Sequence, residues 1–279
     1  MKELENNTKN TTLEGANGKP PFGGLGGFAI EAHNLTVVYN KKPAIWNVDF
    51  TLPEKKIIGI MGPNGSGKST LLKAMLGLIK PEQGWVKIYG KPGKESAKKI
   101  GYIPQRQSID WDFPATVEDV VRMGRFPHKG LFGRFTKSDK EIIDEAIERT
   151  NLQELRHRQI SQLSGGQQQR TFIARALAQQ PEILIMDEPF AGVDATTEEA
   201  IVTLLREMRN EGKTILVVHH DLVSAADYFD WLVLLNTRLV GFGPMETMYN
   251  ETMISQAFGG KPTILSKMNL AVRGKTTKI

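Results

Sequence analysis

The sequence predicts an α/β fold with a mostly parallel sheet core, an antiparallel β layer and a helical insertion. Three observations carry that prediction. First, apolar, β-branched runs stand next to helical patterns. The run at 57–61 precedes 69–79, 214–219 precedes 222–228, and 183–186 follows the helical stretch 167–179. Runs without polar alternation suit strands covered on both faces, as in parallel sheets. Second, segments 28–52, 84–90 and 232–242 consist of shorter, more alternating runs separated by glycine turns, which predicts an antiparallel layer. Third, the pattern from about 107 to 162 is mostly helical, with a Gly/Phe/Arg-rich loop at 124–135.

The chain has 279 residues, long enough to bury a sizeable core, with 40% hydrophobic and 24% charged residues. Its apolar runs fall far short of the roughly 20 residues a helical membrane span needs, which predicts a protein that is not embedded in a bilayer. The chain contains no cysteine, which excludes a disulfide framework and cysteine-based metal sites. Residues 1–27, rich in Asn, Thr and Gly, read as a flexible arm without a signal segment. Residues 28–255 read as one domain, with a helical subdomain at about 107–165. Residues 256–279 read as a basic tail, with five basic and no acidic residues from Lys261 onward. The net charge of +5 is diffuse, so no nucleic-acid partner is expected.

Gly62-Pro63-Asn64-Gly65-Ser66-Gly67-Lys68-Ser69-Thr70 matches the P-loop pattern in full, between a buried strand and an amphipathic helix. Glycines at 62, 65 and 67 let successive backbone N–H groups turn inward toward phosphate oxygens. The helix start adds its positive end. Lys68 can reach the β- and γ-phosphates, and the Ser69 hydroxyl is placed to ligate Mg²⁺. This motif points to a nucleoside triphosphate without saying what the energy is used for.

Residues 183–186 lead into Asp187-Glu188. In an open parallel sheet, ligands sit beyond the carboxyl ends of the strands. Asp187 would hold Mg²⁺ and Glu188 would polarise an attacking water. Taken alone, the acidic pair is explained equally well as a strand-end helix cap; its position downstream of a phosphate cradle favours chemistry.

Leu163-Ser164-Gly165-Gly166-Gln167, opening a helical stretch, resembles the signature motif of ABC ATPases. The turn presents a hydroxyl, bare amides and a positive helix end to an anion. Further markers follow in the family's order. Tyr39 resembles the aromatic residue that stacks on adenine. Gln105 resembles the Q-loop glutamine that contacts Mg²⁺, and Asp194 the D-loop aspartate. His220 resembles the switch histidine, with His219 where the family usually has Thr or Ser. The pair at 219 and 220 also invites a zinc reading, but adjacent strand residues face opposite ways.

The resemblance covers about residues 28–255. It implies a P-loop NTPase of ABC type that binds and hydrolyses ATP with Mg²⁺ and works as a dimer, most simply a homodimer. In that arrangement Ser164, Gly165, Gly166 and Gln167 grip the ATP held by the partner's P-loop. Lys68, Gln105, Glu188 and His220 would be its catalytic residues.

The runs Ser108-Ile109-Asp110-Trp111-Asp112-Phe113-Pro114-Ala115-Thr116-Val117 and Pro189-Phe190-Ala191-Gly192-Val193-Asp194 look most like bacterial manganese, zinc and iron uptake ATPases. That similarity implies membrane-spanning permease subunits and an extracytoplasmic metal-binding protein as partners, at the cytoplasmic face of the membrane. Other cargo, export, or a non-transport ABC protein that binds nucleic acid are the alternatives. Trp111, Phe113 and the 124–135 loop, which includes Phe126, are expected to help receive the permease, unless these aromatics are ordinary core.

Overall fold

A computed structural model describes residues 27–129 and 133–259. The N-terminal arm, apart from its last residue, and most of the basic tail thus lie outside the described residues. So do three residues of the 124–135 loop.

The described residues open with two long strands, β1 (Phe28–Tyr39) and β2 (Lys42–Pro53). The short strand β3 (Ile57–Met61) and helix α1 (Lys68–Met75) follow. Next come β4 (Gln83–Ile88), β5 (Lys91–Pro92) and β6 (Ile100–Ile103). The helical part holds α2 (Val117–Met123), α3 (Phe126–Lys129), α4 (Lys137–Arg149) and α5 (Gly165–Ala178). Then β7 (Ile183–Asp187), α6 (Ala195–Asn210), β8 (Thr214–Val218) and α7 (Leu222–Tyr228) alternate. The described chain ends with β9 (Trp231–Asn236), β10 (Arg238–Pro244), α8 (Met245–Met248) and α9 (Glu251–Phe258).

Two sheets result. One is antiparallel, in the order β2-β1-β4-β5. The other has the order β10-β9-β3-β8-β7-β6 and is parallel except for β10 at its edge. Every residue of β3, β7 and β8 is buried, because both faces of the parallel sheet are covered. The period of two divides these strands between two cores. Ile58 and Ile60 join Leu71, Leu72 and Met75 of α1 against the antiparallel sheet. Ile57 and Met61 face the opposite core, which contains Phe172, Ile173, Ile201 and Leu205.

Capping boxes open α2, α4 and α5: Thr116 with Asp119, Thr136 with Asp139, and Ser164 with Gln167. Asp139 also receives Arg125 Nε at 3.0 Å and pairs with Lys129. Arg125 Nη1 donates to the Ala178 carbonyl at 2.9 Å. One buried cation thus ties the start of α4 to the end of α5.

Two sequence expectations change. The segment 232–242 does not belong to the antiparallel layer: β9 pairs parallel with β3, and β10 folds back on β9. Its glycine signal marks a hairpin, and a hairpin does not reveal which sheet its first strand joins. The helix after the P-loop stops at Met75, short of 79, because Gly77 takes φ 67. The Leu78 N–H then closes onto the Lys73 carbonyl at 2.9 Å. Residues 100–103, assigned to no element from the sequence, form the edge strand β6.

Candidate active site

Strand β3 delivers the chain to a tight crossing at Gly62. A Cβ there would lie 1.9 Å from the Leu235 carbonyl oxygen, so only glycine fits. The loop beyond is braced from two sides. The Thr237 N–H donates to the Ser66 carbonyl at 2.9 Å, and the Trp46 N–H donates to the Thr237 carbonyl at 2.8 Å. Gly67 caps α1 at φ 99, pressed against Ala44 of β2. Gly65, at φ 80, faces open space.

Lys68 lies inside this loop, buried, with Nζ donating to the Gly62 and Pro63 carbonyls at 2.9 and 3.0 Å. Burial lowers its pKa, and the nearby Glu188 and Asp187 carboxylates oppose that shift. The ammonium is therefore held in place by carbonyls before any phosphate is considered.

Asp187 ends β7 and is buried, which raises its pKa; a hydrogen bond from the Ser69 hydroxyl acts the other way. Glu188 follows with φ 51, a left-handed conformation rare outside glycine. Its N–H donates to the Val218 carbonyl at 3.2 Å, the last rung before the chain turns. Gln105 Nε2 donates to Glu188 Oε2 at 3.1 Å. Strained residues of this kind cost about 1–3 kcal/mol and cluster at functional sites. Asn64, Gly65, Ser66, Gly67, Lys68, Ser69 and Thr70 line one cleft of about 420 Å³ together with Ala44, Gln105 and Glu188.

On its other side Glu188 lines a smaller cleft of about 130 Å³ with Phe190, Ala191, Glu198, His219, His220 and Asp221. His220 is exposed, whereas His219 is buried, and burial pulls its pKa down to about 4. Nε2 of His219 lies 2.8 Å from Ser224 Oγ.

Tyr39, Ser164, Gly165, Gly166, Gln167 and Asp194 do not line the P-loop cleft. Tyr39 ends β1 and is 46% exposed. Ser164 caps α5: its Oγ accepts the Gln167 N–H at 3.3 Å, and Gln167 Oε1 accepts the Ser164 N–H at 2.9 Å. The side chain of Gln167 is thus committed to the cap. Asp194 caps α6 through the Thr197 N–H and hydroxyl, at 2.9 and 2.8 Å. A Cβ on Gly166 would meet Thr197 at 2.8 Å, and one on Gly165 would meet the Gly192 carbonyl at 3.0 Å. Two helix starts, one beside the signature and one beside Asp194, therefore pack directly together. Gly192 has φ 74, a conformation that suits glycine.

Sequence reading missed Arg106. Its guanidinium donates to Gln168 Oε1 from Nε at 3.2 Å and from Nη2 at 2.9 Å, next to Gly165 and Gly192. It joins the segment carrying Gln105 to the signature helix; adjacency to Gln105 was the only signal. The aromatics beyond Gln105 divide. Trp111 packs edge-on to Phe172 at 5.3 Å and donates to the Arg106 carbonyl, so it is largely structural. Phe113 and Phe126 are 52% and 56% exposed.

A buried parallel sheet, a glycine-braced P-loop with its lysine, and carboxylates at the adjoining strand end define a P-loop nucleoside triphosphatase. Comparison with known proteins narrows the class. The family model described as ABC transporter matches residues 45–191, just over half of the chain. The manganese transport system ATP-binding protein MntB of Bacillus subtilis is 52% identical over 88% of this chain and 98% of its own. The zinc transport system ATP-binding protein TroB of Treponema pallidum is 48% identical over 84% of this chain and 88% of its own. A dimeric post-hydrolysis structure of the ATP-binding cassette MJ0796, bound to ADP and Pi, superposes with a TM-score of 0.67 at 29% identity. That match covers 77% of this chain and 98% of the cassette. The chain belongs to the ABC transporter family, as an ATP-binding and hydrolysing subunit. No helix among the described residues is long and apolar enough to cross a membrane.

Proposed function

We propose that this ATPase energises an importer for a transition-metal ion, manganese or zinc, from the cytoplasmic face of the membrane. The observation that carries the proposal is 52% identity, along nearly the whole of a relative named for manganese transport. In this reading residues 28–255 are the ATPase domain, with the helical part at about 107–165 facing the permease and residues 1–27 and 256–279 as appendages. An extracytoplasmic metal-binding protein would supply the cargo.

Each site residue has a role in this reading. Lys68 and the amides of the P-loop bind the phosphates, and Tyr39 stacks on the base. The Ser69 hydroxyl, the Asp187 carboxylate and the Gln105 amide form a hard oxygen donor set that suits Mg²⁺, which when bound neutralises phosphate charge. Glu188 takes the proton of the attacking water and His220 orients it. Two copies of the chain pair so that Ser164, Gly165, Gly166 and Gln167 of one cover the nucleotide of the other, with Asp194 at the seam. Affinity for ATP must then differ between open and closed pairs for hydrolysis to do work on the permease.

Manganese, zinc and iron contents in metal-limited cells lacking the gene test the assignment. Manganese or zinc is expected to fall and to be restored by the wild-type chain but not by Lys68→Ala. Unchanged metal contents overturn the importer reading. The exposed Phe113 and Phe126 are expected to seat the permease. Replacing both with Ser should cut co-purification with the permease several-fold, at unchanged ATP affinity. Equal co-purification removes them from the docking surface.

A further inference from the structure

We propose that His219 is a positioning residue for hydrolysis: with Ser224 and Phe190 it fixes the segment carrying His220 relative to the one carrying Glu188. The inference rests on the roles proposed above for Glu188 and His220.

The His219 N–H donates to the Ile60 carbonyl at 3.1 Å, beside the rung from Glu188 to Val218. His220 comes next and is exposed, so its own packing does not set its direction. Its neighbours do. Asp221 caps α7, with its carboxylate accepting the N–H groups of Val223 and Ser224 at 3.2 and 3.1 Å. The Ser224 hydroxyl donates to Asp221 Oδ2 at 2.7 Å. A hydroxyl has one proton to give. Ser224 Oγ, 2.8 Å from His219 Nε2, must therefore accept from that nitrogen. Donation runs one way, from His219 to Ser224 to Asp221, and this assigns the Nε2–H tautomer. The relay closes a ring across the backbone of His220, which stands at its apex.

The ring of His219 also reaches the other catalytic segment. Phe190, two residues after Glu188, meets it edge-on with centroids 5.4 Å apart and planes at 89°. Phe229 packs on it at 5.5 Å and Tyr228 at 6.1 Å. A purely apolar residue could fill this space but could not donate to Ser224. A small hydroxyl residue could not reach Phe190. Histidine meets both requirements, and its burial keeps it uncharged at neutral pH.

The test is steady-state ATP hydrolysis by the purified full-length chain, with melting temperature recorded for every variant. His219→Phe keeps a ring and loses the donor; Ser224→Ala breaks the relay from its far side. Each is expected to lower kcat about 10- to 100-fold, the scale of a small misplacement of reacting groups, with KM for ATP within about twofold. The double variant should lose no more than either single one, because both cut the same relay. His219→Gln, which returns a donor near Nε2, should recover most of the rate. Wild-type kcat in folded His219→Phe and Ser224→Ala overturns the inference, as does a purely additive double variant. If His219→Phe melts too low to assay, Ser224→Ala alone decides by the same split of kcat from KM. Glu188→Gln and His220→Ala run alongside. Normal turnover in those two sinks the underlying assignment, whereas their failure beside normal His219 and Ser224 variants sinks only the positioning role.

Discussion

Glu188→Gln is expected to lower the rate of ATP hydrolysis about 10²- to 10⁴-fold, the usual contribution of a positioned base, and to leave ATP affinity near that of wild type. The structure explains why the two effects separate. Glutamine matches the carboxylate in shape, and its Oε1 can still accept the hydrogen bond from Gln105 Nε2. The backbone of residue 188 keeps its rung to Val218. The P-loop, where phosphates would bind, is braced by Thr237, Trp46 and Ala44, none of which touches the side chain of 188 through a bond given up by the change. What is lost is a group able to take a proton, along with one negative charge near Lys68. In the proposed dimer, slow hydrolysis leaves ATP between the subunits, so the dimeric fraction in ATP should rise. Single-turnover hydrolysis, nucleotide titration and size-exclusion in ATP check this together. Wild-type turnover would falsify the role given to Glu188.

How much of this site could be read from sequence depends on how local each part is. The P-loop was legible because its residues are contiguous and the strand and helix flanking it show their own periodicities. Asp187 and Glu188 stood out only as a strand end downstream of that P-loop, since an acidic pair at a strand end also reads as a helix cap. Gln105, Asp194 and His220 needed the family resemblance, because a single glutamine, aspartate or histidine carries no signal of its own. Arg106 had no signal beyond its place next to Gln105: its partner Gln168 is 62 residues away, and only the fold makes them neighbours. The brace of the P-loop by Thr237 was hidden for the same reason. The misassigned 232–242 segment shows the same limit, since alternation reports one exposed face and not which strand lies alongside. Trp111 and Phe126 looked alike in sequence. The fold separates them, because the indole N–H of Trp111 finds a carbonyl and its ring finds Phe172, while Phe126 stays at the surface.

Gly62→Ala should be severely damaging to the fold, while Gly65→Ala, three residues on, should be tolerated by it. At 62 the new Cβ would sit 1.9 Å from the Leu235 carbonyl oxygen and 2.8 Å from Ser66 Oγ. The first of these is backbone, and it cannot rotate aside as a side chain would. Relief would require β9 to separate from β3, which it pairs along Ile58 to Met61. That movement would also pull Thr237 away from Ser66 and open the loop. A loss of more than about 4 kcal/mol is expected, in the range reserved for overpacked cores and broken networks, together with loss of nucleotide binding. At 65 a methyl meets nothing within 4 Å. The cost there is confined to holding a non-glycine residue at φ 80, about 1–2 kcal/mol. Gly65 lines the P-loop cleft, where the proposed function places the phosphates, so affinity for ATP should fall in a protein that still melts cooperatively. Thermal melts with and without ATP separate the two variants. A Gly62→Ala chain with near wild-type melting would mean that β9 does not hold the loop shut. A Gly65→Ala chain with full ATP affinity would mean that the phosphates do not lie over residue 65.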